Sequence, residues 1–492
     1  MTTGTSTAIL WLRQDLRLGD NPALRACCTR GSKLAIVFID DPAEQTLSTL
    51  GAASRVWLHH SLQSLDQDLK QRGQRLLYMQ GDSYRVLKLL VEELDAGFVA
   101  WNRCYEPASL ARDTKIKKAI GELTEVESFN GVLHAEPWEV LKGDGTPYRV
   151  YTPFYRRVAV DFPPAKPLAT PKSLPQVISQ ATIKKLPDPA SVHTLDDLKM
   201  LPALDWHIGM MRSWSVGEAA ARKTLKAFLQ QRMDDYGEGR NLPAKMGTSR
   251  LSPHLHFGEI SPRQILHRIF RSTGGKLESG SGAEVFAKEV IWREFAYHLL
   301  YHFPDTVEQP MDKRFARFPW PALKADHLER WQRGLTGVPI VDAGMRELWQ
   351  TGWMHNRVRM IVASYLIKNL MIPWQYGENW FRDTLVDADL ASNVMGWQWT
   401  AGCGADAAPY FRVFNPVLQG EKFDREGEYV KRWVPELTDV PLKFVHKPWE
   451  LDAELRQNLS YPEPLVDLKA SRQRALDAFD KIKQPVRNQE LQ

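Results

Sequence analysis

The chain has 492 residues, about two to four times an average domain, so at least two sizeable cores are expected. With 43% hydrophobic and 25% charged residues the composition excludes a disordered chain, and no apolar run is long enough to span a bilayer. A net charge of +5 permits a polyanionic partner without demanding one, the four cysteines (Cys27, Cys28, Cys104, Cys403) have neither disulfide-framework nor zinc-ligand spacing, and MTTGTSTAILW lacks the pattern of a secretory signal, so a reducing cytoplasm is expected.

In chain order, AILWL (8–12), LAIVFI (34–39), RLLYM (75–79) and FVAW (98–101) are predicted buried strands. Between them Asp20-Asn21-Pro22 resembles a helix cap followed by proline at the first helical position, and 55–72 has helical periodicity. This alternation predicts a doubly wound parallel sheet. No G-x-G-x-x-G follows the first strand, so the usual dinucleotide fingerprint is missing. Residues 162–201 are proline-rich and weakly periodic, the composition of a long connection. Beyond them nearly every segment to about residue 400 has helical spacing. The expected architecture is an α/β domain over 1–161, a linker over 162–201 and an all-α domain over 202–492. Thirteen of the seventeen tryptophans lie after residue 200, where an ordinary core is filled mainly with Leu, Ile and Val. The helical half is specialised.

Three segments of that half carry possible chemistry. KEVIWREFAYHLL (288–300) places Glu289 and Trp292 on one helical face, where a carboxylate can hydrogen-bond a planar ligand while the indole packs against it; the plain alternative is a core tryptophan and an arginine-paired glutamate. In GWMHNRVRMIVASYLIK (352–368), Asn356, Arg359 and Met360 share a face and Arg357 is turned away from it, so one face suits a buried ligand and the other a phosphate. A snorkelling arginine and a core methionine are the bland equivalent. In YGEGRNLPAKMGTSRLSPHLHFG (236–258), Thr248, Ser249 and Ser252 set hydroxyls at a helix start, an anion site or a simple cap.

Together, WLRQDLRLGDNPAL, GTSRLSPHL, IWREF, TGVPIVDAGMREL, GWMHNRVRM and GWQWTAGCGADAAPYFRVFNP with QGEKFD resemble the photolyase/cryptochrome family over nearly the whole chain, in the family's order. Within it the sequence looks most like the microbial class I cyclobutane pyrimidine dimer photolyases. The resemblance implies an α/β antenna domain, an all-α domain binding FAD, and splitting of UV-made dimers in DNA by electron transfer from photoexcited reduced FAD. For FAD it implies Tyr236, Thr248, Ser249, Leu251 and Ser252 around the phosphates. Trp353, Asn356, Arg359, Asp387 and Asp389 would lie near the ribityl chain and isoalloxazine, with Arg359 and Asp387 as an ion pair and Asn393 facing flavin N5. Trp397, Trp374 and Trp320 match the proximal, middle and surface members of an electron-transfer chain. For damaged DNA, Arg240, Arg357 and Arg412 match phosphate contacts; Trp292 and Trp399 match the aromatic clamp on the dimer, beside Asn356 and Met360, with Glu289 donating a hydrogen bond to it.

A cryptochrome photoreceptor is the rival within the family. Glu289, Trp292, Met360 and Trp399 together, Asn rather than Asp at 393, and the lack of a long C-terminal effector tail argue against it. A (6-4) photolyase is expected to carry two histidines where this chain has Asn356 and Met360. Phe38, Asp40 and Glu106, in VFIDDP and WNRCYEP, match antenna segments. The second segment departs from the forms associated with methenyltetrahydrofolate or 8-hydroxy-5-deazaflavin, so either of these, FMN or an empty site is compatible with it. A monomer with no metal and no obligate protein partner is expected.

Overall fold

The computed structural model describes residues 6–41, 50–406 and 411–483. Residues 1–5 of the N-terminal stretch, Pro42 of VFIDDP and residues 407–410 of the tryptophan-rich segment lie outside the described residues. By packing, the chain forms two compact units: Met1–Asp234 with Ser249–His302 and Val386–Asp389, and Asp235–Thr248 with Phe303–Leu385 and Leu390–Gln492.

The first unit is built on strands β1 (Thr7–Leu12), β2 (Lys33–Asp40), β3 (Leu76–Gln80), β4 (Ala96–Asn102) and β5 (Glu125–Phe129), all parallel, in the order β3-β2-β1-β4-β5. Helices α1 (Pro22–Arg30), α2 (Ala52–Lys70), α3 (Ser83–Glu93) and α4 (Pro107–Gly121) alternate with the strands. Successive strand residues point to opposite faces. Leu10, Ile36 and Phe38 accordingly pack with Leu24, Trp57 and Leu62 of α1 and α2. Ile9, Val37 and Val99 pack with Leu87 and Leu90 of α3 and Ile116 of α4. With both faces covered, the strands read as continuous apolar runs, and the doubly wound sheet expected from the sequence is present.

At the switch point between β1 and β4, where open α/β sheets commonly hold ligands, the strand ends are bridged by the chain's own side chains. Buried Arg13 contacts Asp113 at 3.0 Å and donates to the Asn102 carbonyl at 2.6 Å. The Asn102 amide in turn donates to Asp15 and Asn21 at 2.6 and 2.8 Å. Asn21 is the cap of α1, accepting from Leu24 N at 3.0 Å ahead of Pro22. Asp20 takes no part in that cap, and its buried carboxylate instead accepts from Leu168 N, Ser261 and Arg263.

This unit extends past the expected boundaries at 161 and 201. Gln176–Val177 forms a sixth strand on β2, so the proline-rich stretch contributes to the sheet. Further along, Glu259 is wholly buried, accepting from Trp57 Nε1 at 3.0 Å and pairing with His254. Gly258 has φ +64°, and a Cβ there would lie 2.0 Å from the Gln14 carbonyl, so the close approach needs glycine.

The second unit has no strand among its described residues. Its helices include Ala325–Gln332, Pro339–Thr351, Asn356–Ser364, Trp374–Thr384 and Leu390–Ala401. Buried Asp342 ties it together, accepting from Thr336 N and Oγ1 at 2.7 Å, from Gly337 N at 3.0 Å and from Tyr461. Among the described residues no helix is long and apolar enough to cross a membrane.

Candidate functional site

In the first unit, Ser249 accepts from Leu251 N at 3.4 Å, Leu251 is buried, and Ser252 opens the short helix Ser252–His256. Glu289 and Trp292 are both half-buried on the 21-residue helix Gly282–His302. Trp292 has a neighbour that periodicity does not reveal: Tyr151 stacks on it with ring centroids 3.6 Å apart and planes 7° from parallel, while its hydroxyl donates to the Lys288 carbonyl at 2.6 Å. Tyr151 thus covers one face of Trp292. Asp387 and Asp389 are buried, and Asp389 accepts from Tyr297 at 2.5 Å.

Of the antenna candidates, Phe38 lies wholly within the sheet core. Asp40 is half-buried, with its carboxyl raised by burial against the opposing pull of Arg55. Glu106 is buried within electrostatic reach of Arg293 and Tyr297.

One turn beyond Glu289, the Glu294 carboxyl accepts from His134 N at 2.7 Å and Ala135 N at 3.3 Å. Burial outweighs these amides and Arg293 and pushes Glu294 up to about 7. Because the folded value lies above the unfolded one, the stability tied to its proton is present below about pH 4 and lost as pH rises to about 7. Glu294→Gln, which keeps an acceptor, should flatten that fall and raise stability at pH 8 by about 3 kcal/mol relative to wild type. Urea unfolding at pH 4.5 and 8 checks this; an unchanged slope contradicts it.

In the second unit, Arg240 lies 5.5 Å over the ring of buried Tyr236, and Thr248 is half-buried. His355 caps the helix that starts at Asn356, accepting from Arg357 N at 3.2 Å. Burial, with the charges of Arg357, Arg359 and Arg240, pushes His355 down to about 3, so it is neutral beneath a cluster of three guanidinium groups. Arg357 donates to Asn241 at 2.6 Å and sits 4.5 Å over Phe423. It also reaches Met360 Sδ at 3.8 Å, so the expected separation of these residues onto different faces is incomplete; the long guanidinium bridges i to i+3. Arg359 donates to the Met354 carbonyl at 2.8 Å and lies 6.0 Å from the Trp353 ring. Exposed Arg412 offers its carbonyl to Lys368, whose burial lowers it to about 7.

Asn393 donates to the Glu378 carbonyl at 3.2 Å and to Glu378 Oε1 at 2.9 Å, and Glu378 is itself held by Arg382. Both neighbours are acceptors, so the amide nitrogen must face them and Oδ1 faces the other way. Trp397 and Trp399 share the helix Leu390–Ala401 but point differently: Trp397 is 2% exposed, Trp399 half-buried. Trp397 packs against Phe381 and Trp331 at 4.9 and 6.2 Å, in space that Gly377 leaves; a Cβ at 377 would lie 2.0 Å from the indole. Trp374 and Trp320 line one cavity of about 370 Å³ together with Phe318, Tyr376 and Phe411.

In the first unit the hydroxyls and amides at 249–252, the buried carboxyl groups of Asp387 and Asp389 and the His256 imidazole, which has no hydrogen-bond partner among the described residues, and in the second unit the oriented amide at 393, are each of a kind that a polar, planar cofactor such as FAD can meet. Residues 8–172 match the family model for DNA photolyase, and 286–481 match the FAD binding domain of DNA photolyase. The chain is 45% identical to deoxyribodipyrimidine photo-lyase of Agrobacterium fabrum, over 98% of this chain and 99% of that one.

The chain belongs to the photolyase/cryptochrome family.

Family members with different names are similar to it. Cryptochrome-1 of Arabidopsis thaliana is 36% identical, over 96% of this chain and 70% of its own. The crystal structure of a bacterial class III photolyase from Agrobacterium tumefaciens superposes with a TM-score of 0.90 at 44% identity, covering 98% of this chain and 99% of that one. This likeness corrects the expectation of microbial class I. The family rests on the two matching models and the full-length relative, and the class on the finer likeness alone.

Proposed function

We propose that this chain is a deoxyribodipyrimidine photo-lyase of the class III type, repairing cyclobutane pyrimidine dimers in DNA with blue light. The observation that carries the reading is full-length likeness to an enzyme of that name, joined to Glu289 and Trp292 on one helix face.

Reduced FAD supplies a photoexcitable one-electron donor. Tyr236, Thr248, Ser249, Leu251 and Ser252 would hold its phosphates, and Trp353, Asn356, Arg359, Asp387, Asp389 and Asn393 the ribityl chain and ring. Arg359 and Asp387 would form a charge pair beside the ring, and Asn393 Oδ1, directed away from Glu378, would accept from it. Trp397, Trp374 and Trp320 pass electrons inward when the cofactor is oxidised. Trp292 and Trp399 clamp the flipped dimer beside Met360 and Asn356, and Glu289 hydrogen-bonds a pyrimidine carbonyl as negative charge develops there. A dimer already stacks poorly, so extruding it costs less than extruding normal bases. A second chromophore beside Phe38, Asp40 and Glu106 belongs to the same proposal, as does the division by sequence at 162 and 201.

Arg240, Arg357 and Arg412 would bind backbone phosphates. Arg357→Ala should weaken damaged and undamaged DNA alike and reduce the slope of log affinity against log salt by about one contact. Salt-independent binding contradicts the assignment. The test of the whole reading is an absorption spectrum of the purified protein before and after denaturation, with dimer-containing DNA assayed in light and dark. FAD release and light-dependent dimer loss are expected. A second reading, a blue-light photoreceptor, is favoured by the likeness to Cryptochrome-1 and takes over if reduced, FAD-bearing protein repairs nothing.

A further inference from the structure

His256 ends the short helix Ser252–His256, one turn beyond Ser252. It is 4% exposed, and among the described residues neither ring nitrogen has a hydrogen-bond partner. Its ring packs edge-on against Phe257 at 4.4 Å and lies within electrostatic reach of Asp387, Asp389 and Arg293. Burial holds the imidazole below its ordinary value, hence neutral, with one donor and one acceptor to satisfy. Asp389 already accepts from Tyr297. Buried polar groups left without partners are rare and costly in native proteins.

We infer that His256 is a further FAD-contacting residue, one of its ring nitrogens hydrogen-bonding a hydroxyl of the cofactor's ribityl chain. The inference rests on the FAD binding proposed above. A hydroxyl can donate or accept, so it suits either nitrogen of a neutral imidazole, whichever carries the proton. Asp387 and Asp389, which the proposal above sets along the ribityl chain and ring, lie within electrostatic reach of this imidazole, so the neighbouring polyol is the part of FAD that suits its position.

The test is fluorescence titration of apoprotein with FAD for wild type, His256→Leu and His256→Asn, alongside melting of apo and holo forms. The leucine variant should bind FAD roughly tenfold to a hundredfold more weakly, because the cofactor hydroxyl loses its partner. Asparagine, which donates and accepts, should recover part of that loss. Apoprotein carrying leucine should melt no lower than wild-type apoprotein, since it no longer buries two unpaired nitrogens. A leucine variant with wild-type FAD affinity overturns the inference alone, and so does one whose apoprotein is destabilised as much as its holoprotein. A wild-type chain that takes up no FAD overturns this inference and the proposed function together.

Discussion

Replacing Trp397 by phenylalanine is expected to slow photoreduction of oxidised FAD by at least about 100-fold, since a phenyl ring is far harder to oxidise than an indole and each 59 mV shifts the one-electron equilibrium about tenfold against transfer. Trp397 is buried, in contact with Phe381 and Trp331, and fitted against Gly377. Phenylalanine leaves a small void there, so the fold should persist with a modest loss of stability. Repair by chemically reduced protein should be nearly unchanged, because the proposed chain refills the cofactor and takes no part in splitting the dimer. Trp320→Phe should have the same pattern in milder form, since Trp374, which lines the same cavity, stays in place as the next donor. Absorbance decay of oxidised FAD under blue light, beside repair after dithionite reduction, separates the two roles. Equal losses in both assays contradict the division.

Glu289→Ala should act on the opposite step. Hydrogen bonds to charged groups contribute about 1.5–3 kcal/mol, so losing one that forms as the pyrimidine becomes charged should slow bond splitting roughly tenfold or more. An interaction stronger in the charged state raises yield more than affinity. Repair per absorbed photon should therefore fall much further than dark binding of dimer-containing DNA, with the FAD spectrum unchanged. Glu289→Gln, still a donor, should be milder. Wild-type yield in the alanine variant would make Glu289 an ordinary half-buried carboxylate.

The α/β sheet was legible because its central strands are covered on both faces: β1, β2 and β4 read as unbroken apolar runs. β5 escaped for the converse reason. Edge strand EVESF has no buried residue, so it carries no run to detect. Gln176–Val177 is too short to stand out from a proline-rich stretch. The resemblance named single site residues, yet their partners come from distant sequence: Tyr151 on Trp292, Glu378 on Asn393, Asn241 on Arg357. No periodicity links positions so far apart. His256 was missed because a histidine on a short apolar helix has no signal of its own; its unpaired nitrogens are visible only once burial is known.

If light drives dimer splitting and the electron returns to the flavin, the cofactor must end each cycle as it began. The most direct test uses anaerobic, fully reduced protein, excess oligonucleotide carrying one thymine dimer, blue light and no external reductant. Many dimers repaired per FAD, none in the dark, and a spectrum still fully reduced at the end are expected. Dimer loss that stops at one per FAD as the flavin becomes oxidised, or no loss at all, would contradict the proposed cycle.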